Sequence, residues 1–137
     1  MTRVLFVCSG NICRSPYAEY AARARFGEGY SFASAGTVAL TGDHATGTMQ
    51  EVGAERGLDL APHRATLLTE AQVPDLVFGM EQEHLIAARR AFPDLPKGSI
   101  RLLAHPQAVA DPYGRHIDLY RRTATQIDEA LSGLLDI

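Results

Sequence analysis

The sequence contains few of the residues that mark disulfide-rich, zinc-binding or nucleic-acid-binding proteins. Only two of its 137 residues are cysteines, Cys8 and Cys13, which are too few for a disulfide framework or a four-ligand zinc site. Lysine occurs once, at Lys97, no run of basic residues exceeds two, and the formal net charge is −3. We therefore expect no metal site and no nucleic-acid partner.

Long apolar runs are also missing. The N-terminal stretch MTRVLFVC contains a short apolar run with no small-residue cleavage site after it, and no segment approaches the roughly 18 apolar residues that suggest a membrane span. The sequence therefore predicts a cytoplasmic protein that does not associate with membranes. Because 46% of the residues are hydrophobic and no linker or low-complexity tract interrupts them, we expect residues 1–137 to form a single domain.

Strand patterns alternate with helix patterns along the chain. Apolar runs predict strands at residues 3–8, 30–37, 75–80 and 100–104, and apolar spacing predicts helices at residues 15–26, 45–56, 81–92 and from 117 onwards. We interpret Ser15 as the N-cap of the first helix and Pro16 as its first helical residue. This order predicts an α/β fold in which a four-stranded parallel sheet carries helices on both faces.

Two loops of this fold are expected to meet. Open parallel sheets bind ligands outside the carboxyl ends of their strands, at the point where the strand order reverses. The turn after the first strand begins at Cys8, and the loop after the fourth strand, AHPQAVADPYG, contains Asp111. The topology therefore places Cys8 and Asp111 on one rim although they are distant in sequence.

The turn after the first strand, CSGNICRSP at residues 8–16, has the properties of an anion site. A strand, a glycine-containing turn and a helix N-terminus present backbone N–H groups to a dianion such as phosphate. The chain has neither a Gly-Lys-Ser/Thr sequence nor GxGxxG, so nucleotide binding is not supported. A helix N-terminus and a guanidinium favour the thiolate form of cysteine, and arginine holds two phosphoryl oxygens at once. The turn predicts that Cys8 is a nucleophile aimed at a phosphate held by Arg14.

Each of these residues has a simpler explanation when it is taken alone. Cys8 could be a small buried hydrophobic residue, Arg14 a surface charge, and Asp111-Pro112 an ordinary turn. The spacing of the cysteine, the arginine and the helix start favours the phosphate-binding interpretation. For Cys13 we expect a packing role, or alternatively a disulfide with oxidised Cys8 that protects it.

The motif CSGNICRSP and the tripeptide Asp111-Pro112-Tyr113 resemble the low-molecular-weight protein tyrosine phosphatase family. SAGT (34–37), PHRA (62–65) and DLVFGMEQEH (75–84) extend the resemblance over most of the chain. It implies a flavodoxin-like, phosphotyrosine phosphatase I-like fold that needs no cofactor. It further implies that Cys8 is the nucleophile, Arg14 holds the transition state and Asp111 donates the proton.

The resemblance also implies roles for the surrounding residues. Asn11, Ser34 and His63 would brace the phosphate loop, and Pro112 would hold the acid in an extended presentation. Substrate contacts are expected from Ser9, Gly10, Asn11, Ile12, Cys13, Ser15, Leu40 and Tyr113. Leu40 stands where many relatives carry an aromatic residue, so recognition of the substrate ring is expected to be looser. Ile12 favours phosphotyrosine, since relatives that act on phosphoarginine tend to carry threonine there.

The expected activity is hydrolysis of phosphotyrosine in proteins through a cysteinyl-phosphate. The expected partners are a phosphotyrosine protein and its cognate tyrosine kinase, and the expected state is a monomer or weak dimer. Two alternatives remain. An arsenate reductase would have to use an external low-molecular-weight thiol, because no cysteine follows Cys13. A non-catalytic phosphopeptide-binding module would not need nucleophile, arginine and acid together.

Overall fold

A computed structural model describes residues 1–134. Four parallel strands, β1 (Thr2–Cys8), β2 (Tyr30–Gly36), β3 (Leu76–Gly79) and β4 (Ile100–Leu102), form one sheet in the order β2-β1-β3-β4. The helices are α1 (Arg14–Arg25), α2 (Gly47–Glu55), α3 (Gln82–Ala91) and α4 (Ile117–Ser132). The predicted α/β class with a four-stranded parallel sheet is confirmed. The strand order is that of the flavodoxin-like arrangement.

The start of α1 differs from the prediction. Cys13 is the N-cap and Arg14 the first helical residue, so Ser15 is not a cap and Pro16 is the third helical residue. The first four N–H groups of a helix have no partner within it, and a proline among them therefore loses no hydrogen bond. The Ser15 side chain does not cap the helix because it contacts the sulfur of Cys8.

The central strand β1 is covered on both faces. Val4 and Phe6 pack with α1, α2 and α4 on one face, whereas Leu5 and Val7 pack with α3 on the other. Side chains of a strand alternate between faces, and all four of these are at most 2% exposed. This burial explains the uninterrupted apolar run of β1. The buried strand also fixes the position of Cys8, which is its last residue.

The reversal of strand order lies beside β1, since the chain leaves β1 for β2 on one side and then crosses to β3 on the other. Hydrogen bonds join the segments after β3 and β4 to each other and to β1 at the carboxyl edge of the sheet. Met80 N–H donates to the carbonyl of Val7 over 3.1 Å, and Val109 N–H donates to that of Met80 over 2.8 Å. The segments after β3 and β4 therefore meet the end of β1 there. None of the helices in residues 1–134 is long and apolar enough to span a bilayer.

Candidate active site

A cleft of about 280 Å³ opens at the carboxyl edge of the sheet. Cys8 and Asp111 both line it, as the strand order requires. Its remaining lining comes from the turn after β1, the segment after β2 and the loop before α4, namely Gly10, Ile12, Cys13, Arg14, Val38, Leu40, Asp43 and Tyr113. Val38 and Asp43 are the two lining residues that the sequence analysis did not identify.

The sulfur of Cys8 is within hydrogen-bond distance of a side-chain hydroxyl, because its Sγ lies 2.9 Å from Ser15 Oγ. Ser15 Oγ accepts a hydrogen bond from Asn11 Nδ2 over 2.8 Å, which leaves its own proton to donate to the sulfur when Cys8 is a thiolate. A hydroxyl that donates to sulfur stabilises negative charge there. Cys8 is 2% exposed, so this sulfur reaches substrate only from the cleft.

Asn11 holds the turn in shape from behind. Its φ of 55° is left-handed, a conformation that asparagine adopts more readily than most residues. Its Nδ2 donates to Ser34 Oγ over 2.9 Å, and its Oδ1 accepts from the N–H of Thr66 over 2.9 Å. His63 Nε2 donates to its carbonyl over 2.7 Å. The structure thus places Asn11, Ser34 and His63 behind the loop and not in the cleft.

This support continues into α1. Ser34 Oγ donates to Glu19 Oε1 over 2.6 Å, and Arg23 pairs with the other carboxylate oxygen at 2.5 Å. Burial lowers the pKa of His63, so the ring is neutral and its Nε2 proton is the one given to Asn11. The sequence analysis did not identify Glu19. Arg23 and Glu19 on α1 are therefore connected to the sulfur of Cys8. The connection runs through Ser34, Asn11 and Ser15.

Arg14 lies under the cleft and is 2% exposed. Its Nη1 donates to the Glu81 carboxylate and to the carbonyl of Val109, both over 2.8 Å. Its Nη2 is 3.8 Å from Asp111 Oδ2. Its Nε is buried and has no hydrogen-bond acceptor within the described residues, which costs about 1–3 kcal/mol for an isolated group. A phosphoryl oxygen would satisfy this donor, so the guanidinium fits an anion in the cleft.

The junction between β3 and α3 supports the turn from the other side. The N–H of Glu81 donates to His84 Nδ1 over 3.0 Å, so the proton of His84 is on Nε2 and is donated to Ser9 Oγ, also over 3.0 Å. Burial, together with the nearby charge of Arg14, lowers the pKa of His84 to about 4. The sequence analysis missed Glu81 and His84, although both follow the carboxyl end of β3 at the same edge as Cys8.

Asp111 is more exposed than Arg14. About 48% of its side chain is exposed, and its Oδ1 accepts a hydrogen bond from the N–H of Tyr113 over 3.1 Å. Pro112 between them is buried. Leu40 and Tyr113 are 70% and 61% exposed and line the cleft. The acid therefore lies beside apolar walls that an aromatic ring could contact.

Cys13 also lines the cleft but differs from Cys8 chemically. It is 3% exposed, and its sulfur lies 3.6 Å from Thr46 Oγ1. Burial raises the pKa of the Cys13 thiol to about 11, so it stays protonated at neutral pH. Both cysteines are free. The two thiols of the site are therefore expected to differ strongly in reactivity.

A flavodoxin-like sheet with Cys-x₅-Arg at its switch point and an aspartate on the opposite loop defines the class of cysteine-dependent phosphatases. Residues 3–137 match the low molecular weight phosphotyrosine protein phosphatase family, and the chain belongs to this family. The resemblance seen in the sequence is thereby confirmed.

Individual relatives agree with this assignment. The probable low molecular weight protein-tyrosine-phosphatase AmsI of Erwinia amylovora is 36% identical over an alignment of 138 positions. The alignment covers 97% of this chain and 89% of AmsI. A protein-arginine-phosphatase of Geobacillus stearothermophilus is 29% identical over an alignment of 140 positions. The alignment covers 98% of this chain and 94% of that protein. The crystal structure of a low molecular weight protein tyrosine phosphatase from T. tengcongensis has a TM-score of 0.88, at 31% identity and 99% coverage of both chains.

Proposed function

We propose that this protein hydrolyses phosphotyrosine in proteins, with Cys8 as nucleophile, Arg14 as transition-state clamp and Asp111 as general acid. One observation carries the proposal. Cys8 Sγ lies 2.9 Å from the Ser15 hydroxyl at the cleft, where Arg14 and Asp111 supply a guanidinium and a carboxylate. Nucleophile, anion clamp and proton donor are thus within one small cavity.

In the first step, the phosphate binds in the turn and the Cys8 thiolate attacks phosphorus in line. The P–O bond to the tyrosine breaks as the S–P bond forms, and Asp111 protonates the departing phenolate, a contribution of about 10²–10⁴ in rate. The backbone N–H groups of Ser9, Gly10, Asn11, Ile12 and Cys13 are the proposed donors to the phosphoryl oxygens. The unpaired Nε of Arg14 supplies a further donor as charge develops.

In the second step, water attacks the cysteinyl-phosphate. Asp111, now ionised, takes a proton from this water, and the S–P bond breaks to release inorganic phosphate and restore the thiolate. The Ser15 hydroxyl, fixed by Asn11, stabilises the leaving sulfur.

The substrate ring is proposed to lie between Leu40 and Tyr113, with Ile12 closer to the phosphate. One relative is a protein-arginine-phosphatase, so phosphoarginine is the competing substrate. Ile12 borders the cleft with an aliphatic side chain that offers no hydrogen bond to a guanidinium. This supports the planar, apolar phenol ring as the preferred leaving group.

The test is hydrolysis of a phosphotyrosine peptide beside the same peptide with phosphoarginine. The unmodified protein should release phosphate mainly from the phosphotyrosine peptide, Cys8→Ser should release none, and Asp111→Ala should be slowed by about 10²–10⁴. Arsenate-dependent consumption of an added low-molecular-weight thiol, with little phosphate release, would instead support an arsenate reductase. Binding without turnover by the unmodified protein would support a phosphopeptide-binding module.

The biological setting is part of the same proposal. The substrate requires a tyrosine kinase to form it, so we propose a cognate kinase as functional partner. Two free cysteines, of which Cys8 is the proposed nucleophile, suit a reducing compartment. This supports a cytoplasmic location. We treat residues 1–137 as one phosphatase domain that acts as a monomer or weak dimer.

A further inference from the structure

A second cavity lies beside the catalytic cleft. Its volume is about 260 Å³, and its lining includes Asp111, Pro112, Arg115, Leu119, Arg122 and Gln126. Asp111 lines both cavities, so the loop that carries this residue borders both. We refer to this second cavity as the Arg115 pocket.

The charge of the Arg115 pocket is positive although the whole chain carries a formal charge of −3. Arg115 and Arg122 are both exposed. The carboxylate in the lining, that of Asp111, has its oxygens engaged elsewhere. Oδ1 accepts from the N–H of Tyr113, and Oδ2 is oriented towards Arg14 of the cleft. Among the described residues, Asp111 therefore pairs with neither guanidinium group of the pocket.

Arg121, which precedes Arg122 on α4, shows the contrast. It pairs with Glu55 and with Asp118, at 2.8 and 2.9 Å. In the part of the chain that the structure describes, no carboxylate oxygen lies within 4.0 Å of the guanidinium nitrogens of Arg115 or Arg122, so both groups are able to attract an anion. The wall between the pocket and the cleft is held in place, because Gln126 Nε2 donates to the carbonyl of Ala108 over 3.0 Å and the N–H of Arg115 donates to that of Pro112 over 2.9 Å.

We propose that the Arg115 pocket binds an anionic side chain that lies close to the phosphotyrosine in the substrate, either a carboxylate or a second phosphoryl group. This inference rests on the proposed phosphatase function and names the class of its substrates. An extended peptide advances about 3.3 Å per residue, so a residue within a few positions of the phosphotyrosine reaches across the Asp111 loop. Paired guanidinium groups suit both anions, because each forms two parallel hydrogen bonds.

The test compares kcat/KM for phosphotyrosine peptides of three kinds, each divided by kcat/KM for p-nitrophenyl phosphate. One set carries a single glutamate moved along both sides of the phosphotyrosine, one carries a second phosphotyrosine at the same positions, and one carries only alanine. We expect at least one anionic position to exceed the alanine peptide by roughly three- to tenfold, the size expected for two solvent-exposed ion pairs. The gain should shrink as salt is added.

The matched variants are Arg115→Gln/Arg122→Gln and Arg89→Gln/Arg90→Gln. The second pair removes the same charge from exposed arginines at the C-terminal end of α3, which points away from the cleft because α3 starts at the carboxyl edge. The first pair should abolish the preference for the anionic peptide and the second should retain it. Glutamate and phosphotyrosine gains that differ would identify the natural anion.

Two results would overturn the inference. The first is equal normalised kcat/KM for anionic and alanine peptides in the unmodified protein. The second is a preference that survives Arg115→Gln/Arg122→Gln unchanged. Failure of the phosphatase proposal is distinguishable from both, because hydrolysis of p-nitrophenyl phosphate itself would then be absent.

Discussion

Arg14 and Glu81 form a salt bridge of 2.8 Å that joins the first helical residue after the phosphate loop to the N-cap of α3. The Glu81 carboxylate binds Nη1, whereas Nη2 lies 3.8 Å from Asp111 Oδ2 and Nε has no acceptor among the described residues. A guanidinium that is free to rotate would lose part of its bidentate geometry. Glu81 therefore acts as a positioning residue for Arg14 and does not touch the substrate.

Glu81→Gln should lower kcat/KM for p-nitrophenyl phosphate by roughly tenfold, which corresponds to about 1.4 kcal/mol of transition-state stabilisation. Glutamine keeps an acceptor for the α3 N-terminus but removes the charge that orients Arg14. Inhibition by vanadate should weaken in parallel. Glu83→Gln, on the same turn and 69% exposed, is the control, and equal kinetics in the two variants would show that Glu81 does not position Arg14.

The fold was largely predictable from the sequence, and the reasons lie in particular elements. The apolar run of β1 required burial on both faces, which only a central strand provides. The spacing of apolar residues in α4 indicated one buried stripe, Ile117, Tyr120, Ala124, Ile127, Leu131 and Leu134. The four middle residues are buried, and Ile117 and Leu134 at the ends are partly buried against the same core. The α1 cap was not predictable, because Ser-Pro at a helix start is compatible with several positions in the first turn. The last three residues of the predicted C-terminal segment lie outside the described residues.

The site was predictable where chemistry and topology coincide. Cys8, Arg14 and Asp111 are recognisable because their residue types and strand-end positions point to the same reaction. Glu81 and His84 were missed because a glutamate and a histidine near a helix start are common and carry no chemical pattern of their own. The role of His84 depends on which nitrogen of its buried ring carries the proton. The role of Glu81 depends on its contact with Arg14, which is distant in sequence. Only the folded structure determines either feature.

Substitutions of Asn11 should separate backbone strain from hydrogen bonding. Asn11→Ala loses the side-chain bonds to Ser15, Ser34 and Thr66 and must still adopt a φ of 55°, so we expect a loss of about 2–4 kcal/mol in the free energy of unfolding. Asn11→Gly loses the same bonds without the strain and should be more stable than Asn11→Ala by about 0.5–1 kcal/mol. Urea unfolding measures both, and equal stability would show that the left-handed backbone carries no cost.

Gly36 should tolerate no side chain, because the phosphate loop packs against it. A Cβ at this position would lie 2.5 Å from the carbonyl oxygen of Ser9 and 2.9 Å from the backbone nitrogen of Asn11. Gly36→Ala must displace the loop, and we expect a loss of at least about 2 kcal/mol in stability together with a severe loss of phosphatase activity. In the control Gly98→Ala, the new Cβ meets no atom within 4 Å. This variant should therefore keep the stability and the phosphatase activity of the unmodified protein.

The stability of the protein should depend on pH through His84. Its pKa is about 4 when folded and 6.5 ordinarily, so the unfolded chain binds more protons between these values and stability falls as the pH is lowered through this window. The contribution of His84 is at most about 3 kcal/mol. Burial lowers the pKa of His63 as well, and that effect has the same sign.

The comparison with His84→Gln isolates the contribution of His84. Chemical unfolding of both proteins between about pH 7 and pH 4 should give a shallower pH dependence for the variant, with His63 contributing equally to both. Parallel curves would show that His84 is not held neutral under the phosphate loop.

The measurement that tests the central claim most directly is alkylation of the two cysteines by iodoacetamide at about pH 6, where free cysteine is almost entirely a thiol. The two sites are read out separately by peptide mass spectrometry, with and without vanadate, so that Cys13 serves as the internal control. The account predicts that Cys8 reacts much faster than Cys13 or free cysteine and that vanadate protects it. Alkylation of Cys8 no faster than that of free cysteine, with no protection by vanadate, would contradict the account.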